Sequence, residues 1–165
     1  MQRLRRFRPI AASRAGRGVL GLAAMALVLA ATSSLRAAEP EIALNAGLYV
    51  IRAEVVDAPE TRARGLMYRK SMPANHGMLF VFAYPERQCF WMKNTLIPLS
   101  IAFLDDRGVI VNIADMQPQS EDNHCSARPV RYALEMNQGW FAARNIGPGF
   151  RIDGVEKARH RHERP

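Results

Sequence analysis

The chain reads as mainly β: a compact single-domain barrel or jelly-roll-like sandwich with two short helices. Three observations predict this. Short apolar runs rich in β-branched and aromatic residues recur between residues 47 and 155, separated by Gly, Pro, Asn and Asp clusters. Helical periodicity is confined to two short stretches, too few for an architecture of repeated strand–helix–strand units. The length of 165 residues with 48% hydrophobic content supports one real core, and 11 Gly with 10 Pro excludes a collagen-like or low-complexity chain.

Each element has its own warrant. Residues 47–56 (GLYVIRAEVV) alternate and are β-branched, so they read as a strand. Asp57-Ala58-Pro59-Glu60 has the form of a helix start, with an Asp cap, Pro in the first turn and Glu three residues after the cap, and the helix runs to about Met67. Residues 77–83 (GMLFVFA) form a buried-strand run, and 89–93 (CFWMK) a further strand. Residues 99–104 and 109–114 are strands joined by Asp105-Asp106-Arg107-Gly108, a hairpin turn. Residues 130–136 (VRYALEM) are a strand, 137–145 a short helix ending before Gly147-Pro148-Gly149, and 150–155 a closing strand.

The formal net charge of +8 points at first to a nucleic acid or an anionic surface. Its distribution removes that reading. Residues 1–38 carry seven arginines and no acid, with 13 apolar or glycine residues at 19–31 and a small-residue exit at Ala37-Ala38. A basic start, a short apolar stretch and a small-residue exit define a cleaved secretory signal peptide, and the stretch is short of the roughly 20 residues of a membrane span. Taking 7 from 23 leaves 16 basic against 15 acidic residues. The expected product is a periplasmic or secreted domain of 39–155, with no stable membrane span after processing and no nucleic-acid partner. Residues 156–165 form a basic flexible tail, whose His160 and His162 read as solvated.

The stretches VVDAPETRARGLMYRKSM, GMLFVFAYPERQCFWMKNTLIPLSIAF and VRYALEMNQGWFAARNIGPGFRI occur in this order, the most specific block being Phe90-Trp91-Met92-Lys93-Asn94-Thr95. On them the chain resembles the uncharacterised family called domain of unknown function one-nine-two. The resemblance implies a compact, mostly β fold of jelly-roll type and brings no reaction with it. Many members have Asp where this chain has Ser100, so no role is carried over to that position.

The densest polar cluster is Trp91, Lys93, Asn94 and Thr95. On a strand, Trp91, Lys93 and Thr95 share one face and Met92 and Asn94 the other, with Phe90 and Met92 packing inward. An aromatic plate beside an ammonium, an amide and a hydroxyl suits a small ligand or a sugar. The bland alternative is a turn before Ile97-Pro98, with Trp91 capping the core. Arg62, Arg64 and Arg69 with Glu60 lie on or beside the first helix, where surface pairing competes with Arg62 reaching an anionic ligand. Glu135 and Asn137 are placed to meet Lys93 in space, or to pair across strands.

Cys89 and Cys125 admit three readings: one disulfide, the default in an oxidising compartment; two free thiols; or a soft-metal site in which Cys125 and His124 join Met92 or Met116. Nothing implies a cofactor. A nucleophile with a base and an orienting group is not recognisable, although His76, His124 and Ser100 exist. The sequence therefore predicts a non-catalytic module of the cell envelope binding a small ligand, a glycan or another protein. The alternatives are a small hydrolase using a carboxylate or His with Lys93, and a structural or assembly protein.

Overall fold

A computed structural model describes residues 40–158. The expected signal peptide and most of the basic tail, His160 and His162 included, lie outside the described residues. The described residues form eight strands and one α-helix: β1 (Glu41–Ala46), β2 (Tyr49–Val56), α1 (Pro59–Arg64), β3 (His76–Glu86), β4 (Cys89–Phe90), β5 (Leu99–Leu104), β6 (Ile110–Met116), β7 (His124–Cys125) and β8 (Val130–Asn137).

Six strands form one sheet in the order β1-β2-β3-β8-β5-β6, and β4 pairs with β7 in a separate two-stranded arm. The sheet is mixed. β2 and β3 run parallel, joined through α1, and the other neighbours are antiparallel. A parallel pair needs a long crossover, usually a helix, so one strand–helix–strand unit sits inside an otherwise antiparallel sheet. The order has two ends, β1 and β6, which do not pair with each other. The barrel alternative is thereby corrected: the fold is mainly β but the sheet is open.

Both faces of the sheet are covered. Alternation along β3, β5 and β8 sends Leu79, Val81, Ala102, Leu104, Leu134 and Met136 to one apolar cluster. Met78, Phe80, Ile101, Phe103 and Ala133 go to the other. Central strands buried on both sides read as unbroken apolar runs, which is why GMLFVFA, LSIAFL and VRYALEM were recognisable. The first cluster is roofed by Trp140, Phe141, Ile146, Ile152, Val155 and Ala158. Leu66, Met92 and Ile97 roof the second.

Several element boundaries differ from expectation. β1 has no forecast counterpart; its mixed EIALNA sequence pairs with β2 through the Gly47-Leu48 turn. Asp57 is not the helix cap. Ala58 is, and no side chain caps it; Asp57 itself is buried. The helix stops at Arg64 because Gly65 takes a positive φ. The second helix is only a 3-10 turn at Ala142–Arg144. Residues 150–155 are not a strand: Arg151 and Asp153 make single bridges, to Val109 and Asn45. The segment then coils into a second 3-10 turn, Val155–Ala158. Gly149 and Gly154, both at positive φ, interrupt any continuous ladder. The 105–108 hairpin forms as expected, with Asp105 Oδ1 accepting from the backbone N–H of Arg107 and Val109.

Candidate functional site

The forecast strand over 89–93 breaks after two residues. Trp91 and Lys93 do face outward, and Met92 does go inward, 1% exposed. Beyond that the backbone turns. Thr95 N donates to Met92 O at 3.0 Å, and Asn94 sits at φ +60°, a conformation that Asn tolerates better than most residues. The shared strand face for Trp91, Lys93 and Thr95 is thereby corrected: Thr95 is buried while Trp91 is 47% exposed. Neighbouring loops fix the turn. Tyr68 N donates to Asn94 O, Gln119 N to Thr95 O and Met92 N to Ser120 O.

Under Trp91 opens a cleft of about 240 Å³. One wall comes from α1 and its exit, with Arg62, Ala63, Gly65, Leu66 and Met67. Phe80 and Phe82 of β3 form a second wall, Gln88 to Trp91 the third, and Thr95 and Glu135 complete the lining. The rings meet edge to face: Phe80 and Phe90 centroids are 4.9 Å apart, Phe82 and Phe90 6.4 Å. The disulfide between Cys89 and Cys125, directly opposite each other in the β4–β7 pair, ties the third wall. The pairing leaves no free cysteine among the described residues, and no metal-holding cluster occurs among them.

Glu135 is the unusual member. It lies on β8 between Met78 of β3 and Ile101 of β5, so cross-strand packing surrounds it with apolar side chains. It is 4% exposed, and its side chain makes no hydrogen bond or ion pair among the described residues. Burial alone pushes its carboxyl up to about 8. Burying a carboxylate without a partner is costly, so the group holds its proton at neutral pH.

Arg62 reaches the same cleft, anchored by donating from Nη1 to the carbonyl oxygens of Asp57 and Val81, and its guanidinium lies 5.2 Å from the Phe82 ring centroid. Lys93 and Asn94 do not line the cleft. The Lys93 ammonium sits over the Trp91 ring at 5.2 Å and near Glu121 at 3.6 Å, so the expected approach of Glu135 to Lys93 does not occur. Asn137 instead donates to Met72 O and Pro73 O. Arg69 makes a two-pronged pair with Glu54 of β2.

Of the six expected ligand residues, the fold gathers Arg62, Trp91, Thr95 and Glu135 into one cleft and leaves Lys93 and Asn94 outside. Phe80, Phe82 and Gln88 were missed. The readable signal was a lone acid in the apolar run YALEM, which on a strand buried on both faces must point into a core. A second groove, of about 270 Å³, holds Ser100 and Asp115 beside Phe141 and Pro148. There the polar groups satisfy each other: Ser100 Oγ donates to Asp115 and accepts from Gly139 N.

Fold and cleft together define a single β domain whose sheet carries an unpaired acid beneath an aromatic-walled opening. The chain belongs to the DUF192 family, described as an uncharacterized ACR, whose profile matches residues 42–154. It is similar to a crystal structure from Sinorhizobium meliloti described as that of a candidate transcription regulator. Identity is 33% and the TM-score 0.69, over 73% of this chain and 98% of that one. It is also similar to a protein of unknown function from Novosphingobium aromaticivorans, at 32% identity and a TM-score of 0.66, over 69% and 85% of the two chains. Among curated proteins none matches.

Proposed function

We propose that this protein is an exported, non-catalytic module of the cell envelope that binds a small ligand in the cleft beneath Trp91. One observation carries the reading: Glu135 is a buried carboxyl with no partner among the described residues, and it opens into a cavity. Such a group costs stability unless something else uses it, and a bound ligand is the simplest user. The arginine-rich leader pattern and the Cys89–Cys125 disulfide support export to an oxidising compartment. The cleft lining holds one carboxyl and no His, which favours binding over the hydrolase alternative, since acid–base hydrolysis calls for a second positioned group.

Titration of small organic fragments into the protein, followed through the Trp91 indole resonance, tests this. Binding fragments are expected to perturb Trp91, Phe82 and Phe90 together. W91A should weaken them about tenfold through the lost ring contact, while K93A should leave affinity unchanged. A fragment set that perturbs none of these residues, or loses affinity through K93A and not W91A, would overturn the cleft as the site.

A further inference from the structure

We propose that the cleft takes the ammonium group of a small primary amine, with Glu135 as its anchoring carboxylate and the Phe82, Phe90 and Trp91 rings around its apolar body. This rests on the cleft-binding reading above and adds the chemical class of the ligand.

The floor supplies a carboxyl whose neighbours across both ladders, Met78 and Ile101, can offer it neither charge nor hydrogen bond. An arriving cation is the partner that turns this desolvated acid from a liability into a charge-assisted contact, stronger than one between neutral groups and strengthened further by apolar surroundings. The walls have matching chemistry. Phe90 stands nearly perpendicular to both Phe80 and Phe82, at 86° and 82°, so the rings offer both faces and edges around the opening, as aromatic cages for ammonium ligands do. Rings of this rim already carry cations from the protein: Arg62 on Phe82 and Lys93 on Trp91, each at 5.2 Å.

α1 contributes Arg62, while β3, the 88–91 arm and Thr95 contribute no titrating side chain to the cleft, the Cys89 sulfur being held in its disulfide. Arg62 is engaged by two backbone carbonyls, and desolvation is the sole cause of the rise at Glu135. The Arg62 Nη1 is thus committed to the backbone rather than to the carboxyl.

The test uses three probes of one shape: phenethylammonium, phenethyl alcohol and phenylacetate. Each is titrated calorimetrically into the protein at pH 7 in two buffers of different ionisation enthalpy. The ammonium is expected to bind at least about tenfold more tightly than the alcohol. It should release close to one proton per ligand, because Glu135, neutral below about 8, must ionise to receive it. For the same reason its affinity should rise with pH and level off above about 8. E135Q should lose the preference for the ammonium while keeping the alcohol, and retained alcohol binding shows that the variant is folded. If the alcohol or phenylacetate binds in the cleft as tightly as the ammonium, the amine inference falls and the binding reading stands. Ammonium binding without proton release, or undiminished in E135Q, likewise overturns the inference. If none of the three binds at millimolar concentration, both fall.

Discussion

Gly65 decides how the first wall of the cleft is built. The chain leaves α1 there at φ +46° and ψ −132°, turning at once so that Leu66, 2% exposed, drops into the second apolar cluster. A side chain is disfavoured at that backbone geometry. A Cβ would also stand 3.2 Å from Phe80 Cζ, tighter than ordinary contact, against a ring that forms the next wall. Gly65→Ala is therefore expected to cost roughly 1–3 kcal/mol of stability, read by denaturant unfolding. It should also displace the Phe80 ring into the cleft and weaken whatever the cleft binds. Full stability in G65A would show that the turn relaxes without strain. At Asn94 a positive φ falls on a residue type that accepts it, so that turn needed no glycine and is harder to read in advance.

The two-residue strands β4 and β7 cannot hold each other by ladder bonds alone, yet they carry Cys89 and Phe90 at the cleft. Three fastenings compensate. The disulfide joins Cys89 to Cys125. Gln88 and Ser126 exchange hydrogen bonds, with Ser126 N donating to Gln88 O at 2.8 Å and Gln88 N donating to Ser126 Oγ at 3.0 Å. Asn112 of β6 donates to Cys125 O at 3.1 Å. The disulfide spans 36 residues, and on a chain-entropy account its removal costs up to about 4 kcal/mol. C89A/C125A should lower the thermal midpoint and loosen the Phe90 wall, seen as faster amide exchange at 88–91. An unchanged midpoint would mean that the hydrogen bonds suffice. The same scale explains what could be read in advance. β3, β5 and β8 were legible because burial on both faces writes a continuous apolar run. β1 was not, because an edge strand needs little apolar sequence. The 89–93 and 150–155 runs have strand-like residues, but tertiary contacts and the turns at Asn94 and Gly154 override them. Arg62, Trp91, Thr95 and Glu135 were each visible as chemistry. Their convergence was not, since it depends on β3 lying beside β8, which no local pattern states.

For the molecule as a whole, an acid within a two-faced sheet ties folding to pH. Glu135 titrates at about 8 in the folded protein against an ordinary 4.5, so between those values the folded state holds a proton that the unfolded chain has released. Stability from this group is fully present below about 4.5 and declines as pH rises, on the order of 1 kcal/mol per pH unit, until the decline levels off above about 8. This runs opposite to the usual carboxylate, whose depressed folded value makes a protein weaker in acid. Denaturant unfolding at pH 5, 6, 7 and 8 should show wild type losing ground to E135Q at every step, because glutamine keeps the shape of the side chain and cannot ionise. The difference between the two curves cancels the titration of groups far from the cleft, leaving the Glu135 contribution alone. A flat difference would mean that the carboxyl finds water or a partner when it ionises, and the stored cost that makes the cleft receptive to a cation would be gone. If the slope is present, a saturating amine should shrink it by stabilising the ionised form, joining the pH dependence of folding to occupation of the cleft.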